Sequence, residues 1–376
     1  MTGNLSMSLK YRILIYLVLL ISSILLIIYC EPLVTTFDDK EDAQMYKSSS
    51  RQTPPAQADT IKVMTWNIRF GAGRIPWFGD SCGDRVILSE NEVKHNLQGI
   101  ADFINVVQPD ILFINEIDIE SKRTAYIDEV QWLLNHTYFN YGAFASNWKS
   151  QFIPSDGLGR INMGNAILSR WKISDAIRIK LPLRGDQDAL TEYFYLRRNI
   201  LKCRIELPGL DNFYAVTTHL AAFSTDDTKQ KQIEVLLENL EKIDSEGSIF
   251  LLGGDFNLLP PNASITDYCL EDMCDDESYH QPGDDPQHKE GSYFTPEITW
   301  LQPVYNLYES AVTLNDYALD EAHYFTHTPK TDRDWDRKID YLFTNYQWIT
   351  LSDSTYQDDT FNLSDHAPVS AEWAVP

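Results

Sequence analysis

The stretch Leu251-Leu252-Gly253-Gly254-Asp255-Phe256-Asn257 decides how the rest of the chain is interpreted. The short apolar run that ends at Leu252 is typical of a buried strand. The two glycines after it let the backbone turn or approach a neighbour closely. Because strand side chains alternate with a period of two, Asp255 and Asn257 point the same way. A carboxylate beside an amide suits the binding of a hard cation and a phosphoryl oxygen. The alternative interpretation of this segment is a strand followed by an Asx turn without a function in binding.

The charge balance limits the partners that the chain can bind. The 376 residues include 31 basic and 55 acidic side chains, which gives a formal net charge of −24. Nucleic-acid binders gain affinity by neutralising phosphates with Lys and Arg, so this balance argues against a general nucleic-acid binder. It does not exclude a nuclease that gathers a few cations and a metal ion in one groove.

The cysteines are too few for a disulfide-stapled fold, and none has the Cys-x-x-Cys spacing of a structural zinc site. If the domain lies outside the cytoplasm, we expect one disulfide between Cys269 and Cys274. The five cysteines are Cys30, Cys82, Cys203, Cys269 and Cys274.

Residues 1–30 contain an apolar segment that indicates a membrane anchor. Residues 13–29 are seventeen uncharged residues, enough to cross a hydrocarbon core of about 30 Å. Because Lys10 and Arg12 precede this segment, the positive-inside rule places residues 31–376 outside the cytoplasm. We therefore expect an uncleaved signal-anchor that forms a transmembrane helix. A cleaved signal peptide of a secreted protein, a lipid anchor at Cys30 and a buried core helix are the alternatives.

The remaining sequence divides into a linker and one folded domain. Residues 31–59 are rich in Ser, Thr, Asp and Gln and are predicted to form a flexible linker. Residues 60–376 are expected to fold as one α/β domain with a mixed sheet system, because strands and helices alternate. Strands are predicted at 61–70, 111–114, 213–218, 249–252, 338–343 and 369–373, and helices at 90–107, at 127–134 and after Ser224-Thr225.

Several predicted strands end in a polar residue of a similar chemical kind. Each residue alone has a plain explanation, such as a turn cap, a solvated strand end or a satisfied core histidine. The adjacent pair Asp365-His366, followed by proline, is the least ordinary of them. The set comprises Asn67, Glu116, His219, Asp255, Asn257, Asp340, Asp365 and His366.

Taken together and in order, these segments resemble the endonuclease/exonuclease/phosphatase superfamily from about Lys62 to Trp373. The superfamily includes deoxyribonucleases, neutral sphingomyelinases and inositol polyphosphate 5-phosphatases. The resemblance implies a four-layered α/β sandwich with two facing mixed β-sheets, a single catalytic domain and a site at one edge between the sheets. The matching segments are Thr65-Trp66-Asn67, Asn115-Glu116, Thr218-His219-Leu220, Gly253-Gly254-Asp255-Phe256-Asn257, Ile339-Asp340-Tyr341 and Ser364-Asp365-His366.

The resemblance also implies a metal site and a general base. Glu116 is expected to be the principal ligand of Mg²⁺, with Asn67 beside it and Mn²⁺ as the alternative ion. His366 is expected to act as general base on the attacking water, with its ring held by Asp340. No serine or cysteine nucleophile is indicated, so direct in-line attack by water is expected.

The remaining polar residues are given supporting roles by the same resemblance. Asp255 and Asn257 are expected to orient the water and the phosphate. His219 is expected to donate a hydrogen bond or a proton to a phosphoryl or leaving oxygen, and Asp365 to assist at the metal. Which of the two histidines is acid and which is base stays open.

Substrate contacts are predicted from a second group of residues. The family often has a Gly-Asn segment on a strand near the phosphate, which makes Asn165 a candidate contact, with a plain strand start as the alternative. Arg160 is a candidate phosphate-binding cation, as are Arg197 and Arg198.

We expect a Mg²⁺-dependent phosphoesterase that faces outside the cytoplasm and acts on a phospholipid-type phosphodiester. An extracellular nuclease of the deoxyribonuclease type is the alternative. A 5-phosphatase is disfavoured because no lysine-rich recognition segment is found, and a catalytically inactive binding module because the acids and histidines are intact. No protein partner is indicated. Substrate specificity is expected to depend on loops 71–89, 146–163, 183–192 and 258–336. The first of these loops contains an apolar cluster at residues 75–78. This cluster is expected either to touch lipid or to pack under the domain.

Overall fold

Two seven-stranded mixed sheets form the centre of the protein. The computed structural model describes residues 9–29, 33–56, 59–79, 82–274, 291–332 and 334–376. The strands are β1 (Lys40–Asp42), β2 (Gln44–Lys47), β3 (Thr60–Asn67), β4 (Ile111–Asp118), β5 (Tyr141–Ile153), β6 (Gly159–Ser169), β7 (Ile173–Lys180), β8 (Asn199–Ile205), β9 (Phe213–His219), β10 (Ile249–Asp255), β11 (Glu309–Ser310), β12 (Asp340–Thr344), β13 (Ser354–Thr355) and β14 (Val369–Ala374). The first sheet has the order β13-β14-β3-β4-β6-β5-β2, and the second has the order β1-β7-β8-β9-β10-β12-β11.

Helices cover the outer faces of both sheets. Helix α2 begins at a capping box in which Ser89 and Glu92 bond each other's backbone N–H groups. The segment 258–336, expected to consist of surface loops, contains two short helices. The helices are α1 (Leu9–Tyr29), α2 (Glu90–Val107), α3 (Glu129–His136), α4 (Ala189–Phe194), α5 (Thr228–Ser245), α6 (Gln302–Leu307) and α7 (Leu314–Leu319), with 3-10 turns at Arg69–Gly71, Lys122–Thr124, Thr295–Glu297 and Glu321–Tyr324.

Three apolar layers hold the helices and sheets together. The inner faces of the two sheets meet in one cluster that includes Val63, Phe113, Leu251 and Leu342. The predicted stripe of α2 packs on the outer face of the first sheet, and the stripe of α5 packs on the outer face of the second. The fold is therefore the four-layered α/β sandwich that the family resemblance implies.

The register of the second sheet places three site residues side by side. β10 runs parallel to β9, which pairs Asp255 with His219, and antiparallel to β12, which pairs Asp255 with Asp340. In the first sheet, β3 runs parallel to β4 and pairs Asn67 with Asn115. These pairings bring the polar strand ends to one edge of the sandwich.

The two glycines of β10 allow close approach at this edge, of the facing sheet at Gly253 and of the neighbouring strand β9 at Gly254. A Cβ at Gly253 would lie 2.3 Å from the Phe113 ring, which belongs to the facing sheet. A Cβ at Gly254, whose φ is +156°, would lie 2.1 Å from the carbonyl oxygen of Thr218. No side chain larger than hydrogen fits at either position without displacement of backbone or core.

The predicted linker is wrong for much of residues 31–59, because two edge strands lie there. β1 pairs antiparallel with β7 of the second sheet, and β2 pairs antiparallel with β5 of the first. Only Ala43 lies between them, and its N–H donates to the Ala176 carbonyl at 2.9 Å. The strands are short, polar and at the sheet edges, where a composition-based prediction finds no apolar pattern.

The predicted disulfide between Cys269 and Cys274 is also wrong. Cys274 pairs with Cys82 instead, at a sequence separation of 192. The bond joins loop 71–89 to loop 258–336. A pairing across this distance follows from the fold and not from the local spacing of the cysteines.

The apolar cluster at residues 75–78 packs under the domain. Trp77 is buried, its ring centroid lies 5.1 Å from that of Phe70, and the Arg123 guanidinium lies 5.0 Å from it. Of the two alternatives given for this cluster, contact with lipid or packing under the domain, the structure therefore favours packing.

The apolar N-terminal segment forms helix α1, with exposed apolar side chains between Leu9 and Ile21. Part of the predicted anchor, namely residues 1–8, residue 30 and the side chains of 24–29, lies outside what the structure describes. Across the described ranges, none of the helices has both the length and the apolar character that a membrane crossing requires.

The strands β1 and β2 generate a prediction about truncated chains. A chain that starts at Thr60 leaves the edges of β5 and β7 unpaired, whereas a chain that starts at Leu33 keeps both edge strands. We expect the shorter chain to self-associate and to melt about 5 °C or more below the longer one. Size-exclusion chromatography and thermal unfolding of the two chains measure this. Equal melting temperatures and two monomers would show that the edge strands contribute nothing.

Candidate active site

The carboxylate of Asp255 lies at the centre of the polar edge. Its Oδ2 atom lies 3.1 Å from Nδ2 of Asn67, 3.2 Å from Nε2 of His219 and 3.8 Å from Nε2 of His366. Burial raises the pKa of Asp255 to about 7, with repulsion from Asp340 in the same direction and the charge of His366 opposing it. Nitrogen atoms from three different segments thus surround the central acid.

Glu116 reaches this cluster through a break in strand β4. The register between β4 and β6 shifts between Ile114 and Ile117, and Glu116 has a φ of +52°. Bulges of this kind redirect a side chain away from the regular alternation. Its Oε1 atom lies 3.3 Å from Nδ2 of Asn67 and 3.8 Å from Nε2 of His219, while 22% of the side chain stays exposed. Glu116 is therefore the acid of the cluster that solvent reaches.

Two neighbours fix the position of His366, one at its ring and one at its backbone carbonyl. Its Nδ1 atom lies 2.8 Å from Oδ2 of Asp340, and its carbonyl accepts from the Trp66 indole at 2.9 Å. Burial disfavours the charged ring, but the negative charges of Asp340 and Asp255 outweigh it and raise the pKa of His366 to about 10. Asp340 therefore holds the ring so that Nε2 faces Asp255.

The second histidine has the opposite electrostatic environment. His219 is buried at the end of β9, and burial lowers its pKa well below the usual value, assisted by the positive charges of Arg198 and His366. The ring is therefore neutral at pH 7, beside the two carboxylates of Asp255 and Glu116.

Asn257 forms the Asx turn that was the plain alternative for its sequence motif. Its backbone N–H donates to Oδ1 of Asp255 at 2.9 Å, which is the Asx turn, and its φ is +49°. Its side-chain Nδ2 donates to the Leu220 carbonyl at 3.2 Å, next to His219. The turn thus places the backbone N–H of Asn257 beside the carboxylate of Asp255.

Asp365 contacts Arg69 instead of the acids. Its Oδ2 atom lies 3.1 Å from Nε of Arg69, and the backbone N–H of Arg69 donates to Oδ1 of Asn67 at 3.0 Å. The structure thus connects Asp365 to the predicted metal ligands through Arg69. That arrangement leaves the amide nitrogen of Asn67 to donate to Glu116 and Asp255.

The two predicted substrate contacts, Asn165 and Arg160, are placed elsewhere. Asn165 is fully buried; its Oδ1 accepts from Asn115 and Asn147, and its Nδ2 donates to Asn199. A side chain that the protein encloses in this way supports the sheets and does not face a substrate. Arg160 pairs with Glu120 at 2.6 Å.

Arg198 is the cation that the structure brings to the site. It is 6% exposed, and its charge interacts with those of Glu116 and Asp255. Within the described ranges, its Nε and Nη1 atoms have no hydrogen-bond partner. Burial lowers its pKa, yet a guanidinium stays charged at neutral pH. Sequence reasoning included Arg198 among several cations but had no signal to separate it from Arg197.

The sequence analysis did not identify a third histidine near the site, His327. The ring centroid of His327 lies 4.4 Å from that of His366, and its Nδ1 atom lies 3.1 Å from the Asp365 carbonyl oxygen. His327 sits in a loop, within Thr326-His327-Thr328, where no strand-end pattern marks it.

The donor set of this edge fits a divalent cation. The carboxylates of Glu116, Asp255 and Asp340 converge here, and ligand atoms of Asp255, Asp340 and His366 all lie within 4.8 Å of one another. Carboxylate oxygens are preferred by hard cations. Glu116, oriented by the amide of Asn67, is the residue best placed to hold such an ion where solvent reaches it.

A four-layered sandwich with an acid–amide–histidine edge is typical of hydrolases that act on phosphoesters with a divalent metal. The profile of the Endonuclease/Exonuclease/phosphatase family matches residues 64–366, and the chain belongs to this family. Its members are generally metal-dependent phosphoester hydrolases. No curated protein matches the sequence.

Solved structures show the same fold at low sequence identity. The endonuclease/exonuclease/phosphatase from Beutenbergia cavernae DSM 12333 is 18% identical, with a TM-score of 0.54 over 84% of this chain and 71% of that one. The family protein from Leptotrichia buccalis C-1013-b is 16% identical, with a TM-score of 0.50 over 83% of this chain and 98% of that one. At such identities the likeness concerns the fold alone.

The pairing of His366 with Asp340 predicts a shift in a measurable pKa. In metal-free protein, the His366 ring is expected to titrate near about 10. Asp340→Asn removes a negative charge that favours the imidazolium, so the pKa of His366 should fall. NMR of the protein labelled at histidine measures this, with the exposed Asp358→Asn as control. An unchanged value in Asp340→Asn would contradict the assigned pair.

Proposed function

We propose that this protein is a Mg²⁺-dependent phosphodiesterase, with Mn²⁺ as the alternative ion, that acts on phospholipid-type substrates. It would work outside the cytoplasm while attached to a membrane through its N-terminus. The observation that carries the hydrolase part is the pair of His366 with Asp340, directed at Asp255 beside the solvent-accessible Glu116.

The proposed reaction is direct attack of water on phosphorus. Asp255 Oδ2 takes up the proton of the water, since the pKa of Asp255 of about 7 suits a base near neutral pH, and the charged His366 ring, whose Nε2 lies 3.8 Å away, stabilises the carboxylate. The neutral His219 ring contacts a phosphoryl or leaving oxygen, and Asn257 orients the phosphate. Glu116, with the Asn67 amide beside it, would hold a divalent cation, which would supply neutralisation of phosphoryl charge and stabilisation of the leaving oxygen.

Arg198 supports a phosphate-binding site at this edge. Its cationic neighbour Arg184 has an acid of its own, since it pairs with Asp186. The charges that raise the pKa of Arg198 are those of Tyr195 and, at the site itself, of Glu116 and Asp255. A buried guanidinium with unbonded N–H groups suits a bidentate contact with phosphoryl oxygens.

The positions of the other arginines favour a lipid over a nucleic acid. A deoxyribonuclease-type enzyme needs a strip of accessible cations along its groove. Five arginines that could form such a strip are already bonded to other residues: Arg160 to Glu120, Arg170 to Asp110, Arg178 to the carbonyls of Ser146 and Arg197, Arg184 to Asp186, and Arg197 to the carbonyls of Tyr193 and Tyr195. The nuclease stays the second candidate, because Arg198 suits the phosphate of either substrate.

Two observations support the location outside the cytoplasm. The bond between Cys82 and Cys274 is typical of oxidising compartments. The uncharged run of residues 13–29 in the sequence, which follows the cations Lys10 and Arg12, suits attachment to a bilayer in the predicted orientation. A secreted or lipid-anchored protein is the alternative.

A panel of three substrates tests the proposed activity. The full-length protein is incubated with sphingomyelin vesicles, a phosphoinositide or plasmid DNA, with Mg²⁺ or with EDTA. We expect Mg²⁺-dependent hydrolysis of the phospholipid, absent in Asp255→Ala and reduced about 10²-fold in Arg198→Gln. Arg204→Gln, an exposed arginine on the same strand β8, serves as the matched control. Nicking of plasmid without cleavage of lipid would show that the protein is a nuclease and not a phospholipid phosphodiesterase. Cleavage that persists in EDTA would refute the metal requirement.

The membrane attachment has its own test. Full-length protein expressed in cells is expected to sediment with membranes and to stay there in high salt or at alkaline pH, because an apolar helix is held by the hydrocarbon core. A chain that starts at Leu33 should be released. Extraction of the full-length chain by either treatment would exclude an integral anchor.

A further inference from the structure

Two histidines and a carboxylate meet beside the candidate active site. Ligand atoms of His327, Asp365 and His366 all lie within 4.8 Å of one another. Asp365 and His366 are nearly enclosed, and His327 is half-buried. This set shares only His366 with the set of Asp255, Asp340 and His366 described above.

Both rings are oriented in the way that metal-binding histidines are. Nδ1 of His366 lies 2.8 Å from the Asp340 carboxylate, and Nδ1 of His327 lies 3.1 Å from the main-chain carbonyl of Asp365. Both partners accept hydrogen bonds, so each Nδ1 carries a proton and each Nε2 is the atom left for a metal ion. Metal ligands commonly donate their second ring N–H to a carboxylate or a backbone carbonyl.

The carboxylate of Asp365 retains room for a metal ion. Arg69 lies 3.1 Å from Oδ2, and the Ser364 hydroxyl donates to Oδ1 at 3.3 Å. Because a carboxylate offers about four lone-pair positions, these two contacts do not exhaust it. The guanidinium of Arg69 also holds the Asp365 carboxylate in place.

The two sets differ in the kind of metal ion that they favour. The edge around Glu116 offers mainly oxygen atoms, which suit Mg²⁺. Two imidazoles with one carboxylate suit Zn²⁺, which takes three such ligands and a water in tetrahedral geometry. The nitrogen-rich set should therefore select a softer ion than the oxygen-rich set beside it.

We propose that His327, Asp365 and His366 form an inhibitory site for Zn²⁺. A bound ion takes the Nε2 position of His366, whose proton is released to solvent, and removes this ring from Asp255. The inhibition rests on the proposed function, because it needs hydrolysis that depends on His366. The binding of zinc does not rest on it.

The inhibition is tested with His327→Phe, which keeps a ring against His366 and removes one ligand. Full-length protein is assayed on sphingomyelin vesicles at saturating Mg²⁺ with increasing Zn²⁺. The zinc concentration for half inhibition should rise about tenfold or more in His327→Phe, while the activity without zinc stays close to wild type. His323→Phe, an exposed histidine of the same segment, should behave as wild type. Equal inhibition of His327→Phe and wild type would overturn the site.

Zinc binding without substrate separates this inference from the proposed function. Equilibrium dialysis of the full-length protein with Zn²⁺, in the presence of Mg²⁺, should show one tightly bound zinc that His327→Phe loses and His323→Phe retains. That result supports the site even if none of the three substrates is hydrolysed. Undiminished binding by His327→Phe would place the zinc elsewhere, for example at Glu116, and would overturn the inference.

Discussion

The side chain of Asn115 joins the two sheets at the point where the chemistry is placed. It belongs to β4 of the first sheet, yet its Oδ1 accepts from the backbone N–H of Asp255 at 2.9 Å and its Nδ2 donates to the Thr218 carbonyl at 3.1 Å. Both partners lie on the second sheet. A buried amide that loses such partners costs about 1–3 kcal/mol for each unsatisfied group. The position of Asp255 relative to Glu116, the residue after Asn115, follows from this bridge.

Further amides extend the bridge beneath the site. Asn115 also donates to Oδ1 of Asn165, and Asn165 connects to Asn147 on β5 and to Asn199 on β8. All four asparagines are buried. Such a network stabilises a unique alignment only when its members are satisfied together. The glycine pair in β10 complements it, since the sheets come close enough for amides to reach across only where no side chain intervenes.

The sequence was sufficient to predict those parts of the site that lie at strand ends. The family resemblance implied that Asp255, His219 and Asp340 share one site at the edge between the sheets, and the register of β9, β10 and β12 places the three residues side by side. The role of Asn165 could not be predicted, since residue type does not show whether an amide faces solvent or another amide. The difference between Arg160 and Arg198 depends on whether an acid lies nearby in space. The edge strands β1 and β2 and the Cys82–Cys274 bond depend on long-range pairing that local composition does not encode.

The early start of the folded domain limits how far it can move from helix α1. The helix ends at Tyr29, and Val34 already bridges to Ser150 on β5. Five residue steps extend over at most about 18 Å. If α1 is inserted in a bilayer, as the proposed function requires, a domain on so short a connection explores a thin shell above the lipid and not the bulk solution. The rate of encounter with a membrane-embedded substrate is then set by its density in the surface, whereas a soluble substrate must come to the enzyme from solution.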